Sequence, residues 1–135
     1  PITFNGCTAT VYWAVESQTD DTPFICADGT TADPSKRICA VSRDMLNRWG
    51  GAISYGDTVL VSGCGKYNGA WEVHDTMNRR FGRTAPTFDK GVKGVVEPHA
   101  LSPRTVDGNY HIDFLVPQGE MAKFTNITIT LLGGE

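Results

Sequence analysis

The chain has 135 residues, a formal net charge of −3, and 40% apolar and 20% charged residues. This length suits a single domain with one core, over residues 1–135. The 12 basic residues form no dense stripe, which argues against a nucleic-acid partner, and no apolar run approaches the roughly 18 residues that a membrane-spanning helix needs. The 15 glycines and 7 prolines indicate many turns and favour an all-β chain with little helix.

The first half of the chain alternates short apolar segments with turn-forming ones. Residues 8–15, rich in β-branched and aromatic side chains, predict a first strand. Residues 16–36 have the composition of a long loop. Residues 37–41 predict a short strand, and residues 42–49 predict one short helix that ends at a pair of glycines.

The second half predicts a hairpin and two further strands. The four predicted strands lie at residues 57–62, 70–74, 110–116 and 124–132. A glycine-rich turn joins the first two, and residues 82–109 read as a second long loop. About six short strands, one short helix and long loops predict a small closed β-barrel whose site is formed by loops and strand ends.

The four cysteines, Cys7, Cys26, Cys39 and Cys64, form an even set without the paired spacing of a zinc site. Such a set favours disulfides and an oxidising compartment, although buried thiols are the alternative. We expect at least one disulfide, and because Cys26 lies in the first long loop and Cys39 just after it, this bond would join the loop to the barrel. The expected location is secreted, periplasmic or in the cell envelope.

Several short motifs, taken in order, resemble the three-aspartate domain, a double-psi β-barrel found in cell-wall lytic enzymes. They are an Asp-Gly-Thr turn at residues 28–30, an Ala-Val strand end at 40–41, a Gly-Asp-Thr-Val-Leu-Val strand at 56–61, Asp-Thr at 75–76 and Ile-Asp at 112–113. Thr-x-Tyr at 10–12 and His-x-Asp at 111–113 also resemble the barrel of expansins and family 45 endoglucanases. The resemblance implies a six-stranded double-psi barrel.

The chain departs from that family at three places. Ser42 stands where the family has its first aspartate, with Asp44 two residues later. The family's Asp-Thr-Gly-Gly is Asp-Thr-Met-Asn from Asp75 onward, and the 82–109 insertion carries a competing acid, Asp89. Because only Asp113 lies in an Ile-Asp-hydrophobic strand, we favour it as the working carboxylate.

The resemblance implies a lytic transglycosylase that acts as a monomer on peptidoglycan or a related polysaccharide and needs no metal or cofactor. Asp113 would serve as acid and then base, with Asp75 raising its pKa by like-charge proximity. Asp44 is the third candidate catalytic acid. The candidate sugar-binding residues are Thr10, Tyr12, His111 and His74.

Other interpretations stay open for these residues. Asp113 also fits a solvent-facing position of an alternating strand, Asp75 a turn cap, and Asp44 the first turn of a helix. Strict alternation puts His111 on the face of Asp113 but separates His74 from Asp75. The alternative functions are a non-catalytic, expansin-like polysaccharide-binding module and a structural barrel of a secreted or virion assembly.

Overall fold

The computed structural model describes residues 2–15, 24–77, 105–107 and 110–132. Within these ranges the chain forms seven strands and three short 3₁₀ turns. The strands are β1 (Ile2–Tyr12), β2 (Ile38–Val41), β3 (Thr58–Ser62), β4 (Gly69–Thr76), β5 (Thr105–Asp107), β6 (His111–Leu115) and β7 (Lys123–Leu131).

Six of these strands close into a barrel in the order β1, β6, β2, β4, β3, β7, with β7 pairing back onto β1. The β1–β6 and β2–β4 pairs are parallel, and the other four pairs are antiparallel. The short β5 lies outside this ring, parallel to the first half of β1. The predicted all-β class and six-stranded barrel are confirmed.

The barrel interior is filled by alternate side chains of its strands. Val59 and Val61 of β3 are buried while Leu60 between them is exposed, and β6 points Ile112 and Phe114 inward. The predicted hairpin is confirmed, because β3 and β4 pair as antiparallel neighbours across a glycine-containing turn. Phe114 stacks on Trp71 with ring centroids 4.4 Å apart.

A second, smaller apolar cluster lies on the outer face of β1, β2 and β6, and we call it the outer cluster. Cys39 and Val41 of β2 belong to the interior, whereas Ile38 and Ala40 belong to the outer cluster. The remaining members are Tyr12, Cys26, Ala32, Met77 and Leu115. Residues 24–32, closed by a bridge between Ile25 and Thr31, cover this face.

The predicted helix over residues 42–49 is two 3₁₀ turns, Arg43–Met45 and Asn47–Trp49. Leu46 separates them because it is extended (φ −95°, ψ 143°) and forms a parallel bridge with Ile53. The N–H of Ile53 donates to Met45 O, and the N–H of Asn47 donates to Ile53 O. Pairing with a later segment therefore replaces the i to i−4 hydrogen bonds of an α-helix.

The predicted disulfide is wrong, because all four cysteines are thiols. They act as small apolar side chains: Cys7, Cys39 and Cys64 are fully buried in the interior, and Cys26 is buried in the outer cluster. The Sγ of Cys7 donates to Phe4 O at 3.4 Å. Burial raises the pKa of Cys26 to about 12 and that of Cys64 to about 11, which keeps both protonated at neutral pH.

Two strand boundaries differ from the sequence prediction. β1 begins at Ile2 rather than at residue 8, because its first half pairs with both β5 and β7. β5 itself lies inside the 82–109 segment predicted to be a loop. Most of that segment is outside the described residues, and so are residues 16–23 of the first predicted loop. In the described ranges, no helix is both long and apolar enough to cross a membrane.

Gly51→Ala is expected to destabilise the protein by about 1–3 kcal/mol, the cost of overpacking a closed site. A Cβ at Gly51 would lie 2.3 Å from the backbone carbon of Met45 and 2.5 Å from Asp44 O. Urea unfolding measures the loss. Gly119→Ala is the control, since Gly119 has φ +105° with open space around it and pays only backbone strain. Equal stability of Gly51→Ala and the unchanged protein would contradict the described packing.

Candidate active site

Four strands place four residues in one row on the outer face of the barrel, and we call it the acid row. Thr10 of β1 is the register partner of Asp113 of β6, which pairs with Ala40 of β2. Ala40 in turn pairs with Asp75 of β4. Directly paired residues project on the same side of a sheet, and neighbouring strands lie about 4.8 Å apart. The Cα atoms of the two acidic residues are therefore about 10 Å apart, and only the methyl group of Ala40 lies between their side chains.

A β-bulge brings Asp75 onto this face. The register runs from Cys39 opposite Val73 to Ala40 opposite Asp75, so His74 is the extra residue of β4. Without the bulge, strict alternation would place Asp75 in the interior, because it is two residues after the buried Val73. Both His74 and Asp75 contact the covering segment 24–32, in contrast to the sequence expectation that they lie on opposite faces.

The carboxyl group of Asp113 is largely buried. Burial raises the pKa of Asp113 to about 6, the nearby charge of Asp75 adds to the rise, and a hydrogen bond from Thr10 opposes it. Thr10 Oγ1 donates this bond to Asp113 Oδ1 at 2.7 Å. A carboxyl group of this pKa is partly protonated near neutral pH, as a proton donor must be.

Asp75 is surrounded differently. Its Oδ1 accepts the backbone N–H of Ala27 at 3.0 Å and that of Thr76 at 2.9 Å. Two N–H donors favour the ionised carboxylate, so the two acids of the row have distinct environments. Sequence reasoning missed the contact with Ala27, although the Asp-Gly-Thr turn that follows Ala27 was a signal that this segment takes part in the site.

Tyr12 is two residues beyond Thr10 on the same face of β1, and it is only 7% exposed. Its hydroxyl has no hydrogen-bond partner among the described residues. Burial raises the pKa of Tyr12, and the charges of Asp75 and Asp113 add to the effect. The hydroxyl of Tyr12 is therefore an unsatisfied donor near the two carboxyl groups, and such a polar group is costly to keep buried.

His111 and Ser42 flank the acid row, two residues before Asp113 on β6 and two residues after Ala40 of β2. The backbone N–H of His111 donates to Ser42 Oγ at 3.1 Å, and Ser42 Oγ donates to Asp44 Oδ1 at 2.6 Å. Burial, with a smaller contribution from Lys123, lowers the pKa of His111, so its ring is neutral at pH 7. Asp44 is 1% exposed, so we assign it a structural contact with Ser42 rather than one with substrate.

His74 points away from Asp113 and fastens the covering segment to β4. Its Nδ1 lies 2.6 Å from Asp28 Oδ2 and 3.3 Å from Thr30 Oγ1, and its Nε2 lies 2.9 Å from Glu72 Oε1. These two carboxylates raise the pKa of His74 against the opposing effect of burial. The structure therefore brings together Thr10, Tyr12, Asp75, Asp113 and His111, and it gives His74 a separate bonding network.

A cavity of about 580 Å³ lies elsewhere, with His74 in its wall. Its other walls come from residues 30–38 and from β3 and β4, including Lys36, Glu72 and Thr58. It contains neither acid of the row, so we place the candidate site on the row and not in this cavity. In the part of the chain that the structure describes, no group of three or more His, Cys, Asp or Glu residues is arranged to hold a metal ion.

The sequence matches no protein-family model and none of the curated proteins compared with it. The interpretation of the site therefore depends on its geometry.

The raised pKa of Asp113 predicts how stability changes with pH. The folded carboxyl titrates near 6 and the unfolded one near its ordinary value of 3.8, so between these pH values the folded state binds the extra proton. The contribution of Asp113 to stability is thus complete below about pH 4 and is lost as pH rises through about 6. Each pKa unit corresponds to about 1.4 kcal/mol.

Relative to Asp113→Asn, which does not titrate, the unchanged protein should lose roughly 3 kcal/mol of unfolding free energy between about pH 4 and pH 7. Urea unfolding of both proteins across this range measures the difference. Parallel pH profiles would show that the folded-state pKa of Asp113 is not raised.

Proposed function

We propose that the protein is a lytic transglycosylase that cleaves the glycan strands of peptidoglycan. Asp113 donates its proton to the glycosidic oxygen as the bond from that oxygen to C1 of the muramic acid residue breaks. The 6-hydroxyl of the same sugar bonds to C1 and gives its proton to the Asp113 carboxylate. The products are a 1,6-anhydro end and a new 4-hydroxyl end, with no water consumed and the acid restored.

The observation that carries this proposal is the carboxyl group of Asp113, whose pKa burial raises to about 6. Asp75 in the same row accepts two backbone N–H groups at its Oδ1. Cleavage with cyclisation needs one carboxyl group that alternates between acid and base, whereas hydrolysis needs a second carboxylate for water. In this proposal Asp75 raises the pKa of Asp113, and Tyr12 donates its hydroxyl to a sugar oxygen.

The motif resemblance supports the same proposal. Asp75 and Asp113 stand at the second and third positions of the three-aspartate pattern, and the six-stranded barrel agrees with the double-psi fold of that family. We extend the proposal to location, because a peptidoglycan substrate places the protein outside the cytosol, in the cell envelope or secreted. The absence of disulfides removes one argument for that location, so it depends on the substrate alone.

A polysaccharide-binding module without turnover is the second candidate function. It is favoured by Ser42, which occupies the first aspartate position of the family pattern, and by the burial of the neighbouring Asp44. In this alternative the acid row binds sugar hydroxyls and Asp113 transfers no proton.

Incubation with purified peptidoglycan, followed by mass spectrometry of the released fragments, separates the candidates. Lytic transglycosylase action yields fragments with 1,6-anhydro-muramic ends. Water-derived reducing ends would identify a hydrolase instead. Binding to peptidoglycan without any released fragment would favour the binding module, and neither binding nor cleavage would leave a structural role for the barrel.

A further inference from the structure

Two arginines near the acid row lie over one tryptophan ring. The guanidinium carbon of Arg43 and that of Arg48 are each 4.7 Å from the ring centroid of Trp49. Arg43 belongs to the first 3₁₀ turn and Arg48 to the second, so the extended Leu46 between the turns brings both side chains to Trp49. Stacking on an aromatic face restricts the motion of a guanidinium group. The N–H donors in the plane of the group stay available for hydrogen bonds.

Neither arginine forms an ion pair within the part of the chain that the structure describes. The ion pairs found there involve Lys66 and His74. The Nε of Arg43 is buried and has no hydrogen-bond partner among the described residues. Two guanidinium groups at one ring without an ion-pair partner among the described residues, and a buried N–H without an acceptor, are features that a bound anion would relieve.

Arg43 lies next to residues that flank the acid row. It directly follows Ser42, whose Oγ accepts the backbone N–H of His111. His111 is two residues before Asp113 and projects on the same face of β6. Tyr55 lies within electrostatic reach of Asp75 and of both guanidinium groups. A polymer that extends along β6 from Asp113 past His111 would therefore approach Arg43.

We propose that Arg43 and Arg48, held by Trp49, form a subsite for a carboxylate group carried by the glycan chain. The inference rests on the proposed function, and it adds a preference of the site for negatively charged glycan. A guanidinium presents paired N–H donors that match the two oxygens of a carboxylate. In peptidoglycan this group has two sources: the stem peptide where one is attached, and the lactyl group of muramic acid where the stem peptide has been removed. The chemistry of recognition is the same for both.

The test measures binding in an Asp113→Asn background, so that cleavage does not enter. Binding of Asp113→Asn to intact peptidoglycan is compared with that of the same protein carrying Arg48→Gln or both Arg43→Gln and Arg48→Gln. Lys36→Gln is the matched control, because it removes one exposed positive charge from the wall of the cavity that contains neither acid of the row. Melting curves establish that each variant is folded. If the double variant is not folded, the comparison uses the single variant of the exposed Arg48.

We expect the arginine variants to bind peptidoglycan roughly 10- to 100-fold more weakly, the usual effect of losing charge-assisted hydrogen bonds, and Lys36→Gln to bind as before. Peptidoglycan whose carboxylates have been converted to amides should bind all variants equally. Glycan strands freed of stem peptides carry free lactyl carboxylates and identify the source: arginine dependence on these strands shows that the lactyl carboxylate is recognised, and dependence confined to intact peptidoglycan assigns the stem peptide.

Equal binding of the arginine variants and the control to unmodified peptidoglycan would overturn the inference. The outcome is separable from that of the proposed function: arginine-dependent binding without 1,6-anhydro products in the unchanged protein would reject the transglycosylase and keep the carboxylate subsite. Cleavage to 1,6-anhydro products that depends neither on the arginines nor on amidation would keep the transglycosylase and reject the carboxylate subsite.

Discussion

Asp113→Asn is expected to lower the rate of glycan cleavage by about 10²–10⁴-fold, the usual contribution of one positioned acid–base group. Asparagine keeps the size of the side chain and an oxygen that can accept the hydroxyl proton of Thr10, so the bond at 2.7 Å can re-form. It removes the proton that the leaving oxygen needs. The rate of 1,6-anhydro end formation from peptidoglycan measures the loss.

Thermal unfolding provides the control for this substitution. At neutral pH the variant should melt at or above the temperature of the unchanged protein, because a buried carboxylate is replaced by a neutral amide. Asp75→Asn should lose less activity and should shift the pH optimum to lower values, because it removes the negative charge that helps to raise the pKa of Asp113.

Full activity of Asp113→Asn together with inactivity of Asp89→Asn would move the catalytic acid into the 82–109 segment, where Asp89 lies outside the described residues. Full activity of both variants would reject an aspartate at either position as the essential acid.

Phe114→Ala is expected to cost about 3–5 kcal/mol of unfolding free energy, a large part of the roughly 5–15 kcal/mol typical of a domain. The ring of Phe114 is fully buried. It stacks on Trp71 at 4.4 Å and on Tyr67 at 5.4 Å, so its removal leaves a cavity and ends both aromatic contacts. Denaturant unfolding at constant temperature measures the change.

Phe24→Ala is the matched control, because the Phe24 side chain is 65% exposed. Its effect should stay within about 0.5 kcal/mol. A Phe114→Ala variant as stable as this control would mean that the aromatic stack is not part of the folded core.

The described part of the fold follows closely from local sequence patterns. The alternation of Val59, Leu60 and Val61 and the glycine-rich turn after them predict the β3–β4 hairpin, because burying one face of a strand needs a period of two. The limits of β1 and the existence of β5 were not predictable in this way. Both depend on pairing partners that are distant in sequence, and residues 2–7 carry only a weak strand signal by themselves.

Local patterns also failed for the cysteines and for the segment after β2. An even number of cysteines is compatible with disulfides or with thiols. In the fold the cysteines are thiols, and Cys39 and Cys64 pack as small core side chains. The predicted helix does not form, and Leu46 instead forms a bridge with Ile53. A helix of eight residues is only marginally stable by itself, so hydrogen bonds to a neighbouring segment are favoured over it.

For the candidate site, the sequence by itself determined the chemistry: two aspartates in strand motifs, a Thr-x-Tyr strand beside them and a histidine two residues before Asp113. Only the tertiary structure decided which groups meet. The bulge at His74 turns Asp75 outward and breaks the strict alternation that separates it from the outer face. Burial raises the pKa of Asp113 and encloses Asp44, and neither effect was predictable, because the cost of charging a carboxyl group depends on neighbours that the chain assembles only on folding.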